Sequence, residues 1–307
     1  MDDLIGDSPA GTVDCVADTL LYRGYEIERL AKKKHREVLD HLGYRDDPAE
    51  EKLFGWIPEA YQRWSGLADP VDFSMLAGAM DPVLKGLGIA HKRDGVLYPA
   101  EATVLVGIRG AESCFDSWQG KAKKNFTDFS ASWETGLSNQ GNLAVALQDA
   151  MVGTSKIFET ARADILDIAE KTVTALQAVG CGADDVKVTF TIASALAGVA
   201  SVAFPPGGAV IALVSISAGA GAVSNLAPDR KEIPLGASTA KGVIDNMDDA
   251  MRTLARWIDA QEQAVVEMLK QNLKTVRSET NSYVPAPPNL LNSRSGGVRE
   301  SGWLEPT

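Results

Sequence analysis

Histidine and cysteine are scarce in this chain, three of each in 307 residues, and they lie far apart. Cys15, Cys114 and Cys181 form no Cys-x-x-Cys pair and are odd in number, the usage expected of free thiols in a protein made in a reducing cytosol. His35 and His41 fall in a charged helical stretch and His91 in a connector, where surface or locally satisfied imidazoles are expected. There is no His-Glu-x-x-His, no Gly-rich phosphate loop and no Gly-x-Ser-x-Gly elbow. The acid pairs Asp184-Asp185 and Asp248-Asp249 are sequence neighbours and point different ways on a helix, so no acid/base pair follows from them. Cations are also short: 30 Lys and Arg stand against 41 Asp and Glu, a net charge of −11. That balance excludes general nucleic-acid binding, which needs clustered cations for phosphates. The expectation is a non-enzymatic protein with no catalytic residue, no metal and no cofactor. The acidic start, Met1 to Asp7, lacks the basic and apolar regions of a secretory signal peptide.

Charge itself is missing from one block. No Asp, Glu, Lys or Arg occurs from Val188 to Pro228, although 23% of the chain is charged. Two apolar arms, Val188–Phe204 and Ala209–Ala227, flank the turn Pro205-Pro206-Gly207-Gly208. Small residues recur four apart at Ala193, Ala197 and Ser201, and again at Ser215 and Gly219, which lets two helices approach closely. Each arm nearly has the length of a bilayer span, so either a buried helical hairpin or membrane contact is expected. A strand is the rival local reading, because Val186, Val188, Phe190 and Ile192 alternate with polar residues.

Elsewhere helical periodicity dominates. Val13, Val16, Leu20, Ile27, Leu30, Val38 and Leu42 predict a helix from about Thr12 to Leu42, stopped at Gly43. Its cations Lys32, Lys33, Lys34 and Arg36 are matched by Glu26, Glu28, Glu37 and Asp40, the pattern of a solvated face. Shorter helices are predicted near Ala49–Trp64 and Val71–Leu87, followed by a turn-bearing connector over Ile89–Tyr98. Apolar residues then recur at steps of three and four through Val104, Ile108, Phe115 and Trp118. They resume with Ala122, Phe126, Phe129, Trp133, Leu137, Gln140, Ala144 and Leu147, and continue to Val179 before Gly180 ends the run. Ile244 to Val276 repeats the pattern, with Ser238 or Thr239 as N-cap. Helices this long need neighbours alongside. The expected fold is therefore all-α: an elongated bundle of long antiparallel amphipathic helices with a Gly/Ala-rich hydrophobic hairpin. Its segments are an N-terminal helical region (1–98), a helical hairpin (99–182), the hydrophobic hairpin (183–235), a long C-terminal helix (236–280) and a disordered, Pro-containing tail (281–307) that holds an isolated Trp303.

Ser117-Trp118-Gln119-Gly120 sits where a helical hairpin would reverse, with Ala122, Phe126, Phe129 and Trp133 downstream and Phe115 upstream. In that setting residues 99–180 resemble the Trp-x-Gly (WXG) family of type VII (ESX) secretion, and the uncharged stretch that follows is similar to larger secretion-associated members from actinobacteria. The resemblance implies an antiparallel hairpin that pairs with itself or with a small WXG partner. It also implies contact with the type VII machinery, and export from the bacterial cytoplasm without a signal peptide. Family members or their partners carry Tyr-x-x-x-Asp/Glu after the hairpin; here the only match is Tyr22 to Glu26, ahead of it. That departure leaves two expectations, export on a partner's signal or no export. The layout of long helix, hydrophobic hairpin and long helix also looks like that of α-helical pore-forming proteins, which implies insertion of 188–228 into a membrane.

Overall fold

The computed structural model describes residues 11–44, 49–89, 91–93, 96–98, 103–115, 117–180, 188–192 and 232–284. Helix accounts for 82% of the described residues, so the fold is all-α. Helix α1 spans Gly11–His41, and the chain reverses at Gly43. The helix expected over 49–64 is two, α2 (Glu50–Phe54) and α3 (Ile57–Trp64), and that over 71–87 is also two, α4 (Pro70–Ala79) and α5 (Asp81–Gly86). Pro58 and Pro82 stand in the first turns of α3 and α5, where a missing N–H interrupts no intrahelical bond. The connector is a short antiparallel pair, β1 (His91–Arg93) and β2 (Val96–Tyr98). Then come α6 (Thr103–Cys114) and the continuous α7 (Gly120–Ala178). Strands β3 (Thr189–Thr191) and β4 (Glu232–Pro234) pair antiparallel, with Thr191 opposite Glu232. The alternation around Phe190 thus reads out as a strand, with Phe190 buried between exposed Thr189 and Thr191. Helices α8 (Ala240–Ser278) and α9 (Thr280–Tyr283) follow. Thr239 caps α8 as expected, its Oγ1 accepting from the Gly242 N–H at 3.1 Å.

The chain divides into two compact units. One takes α1 to α3, α7 from Thr154, the β3–β4 ladder and α8 as far as Gln263; the other takes α4 from Phe73, α5, β1–β2, α6, α7 up to Gly153, α8 from Ala264 and α9. In the first unit, α7 buries two adjacent faces. Phe158, Ala161, Ile165, Ile168, Thr172, Ala175 and Val179 continue the expected seam, and Ile157, Ala169, Val173 and Leu176 lie beside it. A helix covered on two sides needs this wider apolar surface. α1 runs parallel to this part of α7, with Arg23 near Glu170 and the Lys34 ammonium donating to the Val179 carbonyl at 3.0 Å. That lysine satisfies a carbonyl left open at a helix C-terminus. α3 returns along α1, and Tyr61 lies against Thr172. Leu20, Ile27, Phe54 and Ile57 are fully buried here, each contributing about 1.5–3 kcal/mol over exposure. In this unit α8 buries Ile244, Met247, Met251, Leu254, Ile258 and Gln261, as its heptad spacing predicts, and Val243, Ala250 and Trp257 beside them.

In the second unit the buried side of α7 departs from the regular seam. Leu147 is exposed, while Val145, Ala146 and Gln148 are buried. The reason is the packing of α4 and α5: the Gln148 side-chain amide donates to the Ala77 carbonyl at 2.9 Å and to Asp81 Oδ1 at 2.7 Å. Leu84 clusters with Ala144 and Val145, and Ile89 packs directly over Gly141.

Two outcomes test this packing. A Cβ at Gly24 would stand 2.8 Å from the Pro58 Cα, so Gly24→Ala is expected to lower the unfolding free energy by about 1–3 kcal/mol, whereas Gly107→Ala, with open space around it, leaves stability unchanged or slightly raised in the same denaturant titration. Tyr61 is fully buried and its hydroxyl lacks a well-placed hydrogen-bond partner, so burial pushes its pKa well above the ordinary tyrosine value. The neutral ring thus contributes stability that is complete below pH ~10 and declines above it by up to about 1.4 kcal/mol per pH unit. Denaturant titrations at pH 9 and pH 11 are expected to show a shallower alkaline loss for Tyr61→Phe than for the wild type; equal losses would refute this role.

Candidate functional site

The hairpin reversal expected at Trp118 is a two-helix arm. α6 ends at Cys114, and the turn closes through the Phe115 N–H donating to the Glu112 carbonyl and the Trp118 N–H donating to the Phe115 carbonyl, both at 3.0 Å. Gly120 then starts α7 with φ +76°, a left-handed conformation that a side chain would strain. The two helices run antiparallel, as three contacts in order establish. Phe115 and Phe126 ring centroids lie 4.6 Å apart, Ser130 Oγ donates to Glu112 at 2.6 Å, and Arg109 pairs with Glu134 at 2.5 Å. Trp118 turns back on Phe115 at 4.3 Å, and Phe129 meets Trp133 edge to face at 6.2 Å. The motif residues Trp118 and Gly120 and the seam residues Phe115, Phe126, Phe129 and Trp133 therefore lie along one short arm. Of Ala122 only the backbone is described, within α7.

This arm is thinly covered. Between residues 117 and 135, Ser130 is the only buried side chain among those described. Trp118 is 42% exposed and Trp133 38%, while Phe115, Phe126 and Phe129 are half-buried. Val104 and Val106 on α6 are exposed as well. The seam so regular in sequence is thus largely covered from Leu137 onward, Leu147 excepted, and open before it. Chemically the arm offers exposed aromatic and aliphatic surface among charged side chains of both signs.

The end of the described chain closes onto α7 at the base of the arm, a contact the sequence reading did not anticipate. Asn139 Nδ2 donates to the Ser282 carbonyl and Gln140 Nε2 to the Tyr283 carbonyl, both at 2.7 Å, and Tyr283 is buried. Gln140 is a side-chain amide on the α7 seam and Asn139 stands next to it in sequence, the one signal of a polar partner there.

Other expected features fall elsewhere. Tyr22 and Glu26 lie on α1, one turn apart; Tyr22 is 67% exposed and Glu26 accepts from Arg23 at 2.7 Å. The cations of α1 border a groove of about 670 Å³ with Tyr25, Glu28, Glu37 and Asp40, but carboxylates already hold most of them. Lys32 bonds Glu28 at 2.6 Å and Glu51 at 2.5 Å, which together raise its pKa, and Arg36 bonds Glu50 at 2.9 Å. The face is solvated and internally neutralised, as its sequence implied. Ala193, Ala197, Ser201, Pro205, Pro206, Gly207, Gly208, Ser215 and Gly219 lie outside the described residues. Among the described residues no helix is long and apolar enough to cross a membrane, and no group of three or more His, Cys, Asp or Glu is placed to hold a metal. No known protein family, curated protein or solved structure matches this chain.

Proposed function

We propose that this chain is a non-enzymatic assembly protein that docks through the α6–α7 arm, either onto a second copy or onto a small helical partner of the Trp-x-Gly kind, in the manner of type VII secretion substrates. The supporting observation is the exposure of Trp118 and Trp133 on an arm otherwise built like a helical hairpin. Large rings are costly to leave in water and supply the central anchors of protein interfaces. The neutral character of the arm also fits assembly by a chain of net charge −11: among its described side chains Arg109, Lys123 and Lys124 balance Glu112, Asp128 and Glu134. Export through the type VII machinery follows from the resemblance of 99–180 to that family, with the exposed Tyr22 and the half-buried Glu26 on α1 as this chain's own candidate signal.

A second reading rests on the β3–β4 ladder. Thr191 opposite Glu232 brings the two ends of 193–231 side by side, so the uncharged stretch leaves and re-enters at one point. Such an excursion suits a membrane-active protein that inserts 188–228 into lipid.

For the arm, light scattering across a concentration series is expected to show self-association, or a defined complex with a small Trp-x-Gly protein, weakened about tenfold or more by Trp118→Ser with Trp133→Ser at unchanged helicity. A strictly monomeric wild type that also ignores such partners would refute it. For the second reading, the wild type is expected to release dye from liposomes and Ala197→Asp or Gly219→Asp to abolish release; absence of leakage from the wild type removes that reading.

A further inference from the structure

The seam of α7 consists of two lines of residues, each at a spacing of seven, that lie side by side on one face. In the second unit the two lines differ in cover. Leu137 and Ala144, on one line, are buried, and Leu84 packs against Ala144. On the other line, formed by Phe126, Trp133, Gln140 and Leu147, no side chain is buried. Trp133 and Leu147 are each 38% exposed, and Phe126 and Gln140 are half-buried.

This open line is symmetric about its middle. Trp133 and Leu147 stand seven residues before and after Gln140, about 10 Å along the helix in each direction. A second α7 laid antiparallel on the first, with a two-fold axis at Gln140, sets each Trp133 ring against the Leu147 of the other copy. The centre is a matched polar pair. The Gln140 side chain donates one N–H to the Tyr283 carbonyl at 2.7 Å, which holds the amide in place, and makes no other hydrogen bond among the described residues. Its second N–H and its carbonyl oxygen are complementary to the same two groups of another Gln140 across such an axis. An amide pair of this kind fixes register and orientation, since sliding by one heptad leaves each amide against an apolar side chain. Charge points the same way. From Thr135 to Gln148 no charged residue occurs, in a chain of net charge −11, so two copies meet at this stretch without the like-charge repulsion expected of an acidic chain.

We propose that two copies of this chain associate antiparallel along the open line of α7, centred on Gln140, with Trp133 and Leu147 as the apolar contacts on either side. The inference rests on the reading of this chain as an assembly protein, extends its docking face past the arm to Leu147, and names a second copy as the partner.

Cysteine cross-linking on the full chain tests the pairing, in a background of Cys15→Ser, Cys114→Ser and Cys181→Ser, with helicity as the control for folding. Under mild oxidation Gln140→Cys is expected to form a disulfide-linked dimer, because only a residue on the axis meets its own counterpart. Trp133→Cys and Leu147→Cys, each alone, are expected to stay unlinked, since a residue seven positions off the axis lies about 21 Å from its counterpart, and to link when the two proteins are mixed. By light scattering, Leu147→Glu at this exposed position is expected to weaken self-association about tenfold or more. Unlinked Gln140→Cys, with self-association insensitive to Leu147→Glu, overturns the proposal. Ready linking of Trp133→Cys alone overturns it too and assigns a parallel pairing. Two results separate this contact from the arm. A wild type that stays monomeric but binds a small Trp-x-Gly protein through Trp118 overturns the pairing and leaves the arm as docking face. Gln140→Cys dimers whose association ignores Trp118→Ser uphold the pairing and remove the turn of the arm from the docking face.

Discussion

A helix of 59 residues persists only where other parts of the chain lie against its apolar side, because propensity alone does not hold so long a segment in water. Lateral cover of α7 is the constraint on which the other features depend. From Thr154 to Val179 the cover is complete, and buried positions spread onto two adjacent faces. Between Leu137 and Ala150 it comes from α4, α5, Ile89 and the α9 latch, each tied down by a specific contact: Gln148 to Ala77 and Asp81, Leu84 to Ala144 and Val145, Asn139 and Gln140 to Ser282 and Tyr283. Before Leu137, α6 lies against α7, and the Trp118 and Trp133 rings stay in view of solvent.

Several polar contacts along α7 share a logic. Each of these places a side-chain amide, hydroxyl or guanidinium against a backbone carbonyl in a turn or at a helix end: Gln148 on Ala77, Ser155 on Pro70, Arg162 on Leu67, Asn139 on Ser282. A long helix lined with donors in this way fixes the position of short elements that have little apolar surface of their own. Tyr283 shows the result at the end of the described chain: a four-residue helix is too short to hold itself, yet its ring is buried and two of its carbonyl neighbours are bonded. The proposed function grows from the same gradient of cover, since the uncovered arm is where a partner gains most by binding.

Much of this was legible in residue order. The Thr12–Leu42 helix appears as Gly11–His41, the run from Lys121 to Gly180 as Gly120–Ala178, and the Thr239 cap stands where expected. Trp118 and Gly120 were readable as a reversal because glycine tolerates the left-handed turn and the apolar period restarts after it. The alternation around Phe190 was readable as a strand, but its partner was not: Glu232 to Pro234 is too short to show a period. Prolines 58 and 82 divided helices that periodicity alone had joined. Trp133 and Leu147 satisfied the seam as well as their neighbours did, yet both are exposed.

The sequence by itself determined which stretches are helical and which side of each is apolar, because spacing of three and four is a property of a single helix and needs no neighbour. Only the tertiary structure decided which part of that apolar side is used. Burial depends on what arrives from elsewhere in the chain, and the arrivals here are set by contacts between residues tens of positions apart, such as Gln148 with Ala77 and Gln140 with Tyr283. One unbroken pattern in sequence is therefore core in one stretch and open surface in another, and the open stretch is the candidate site.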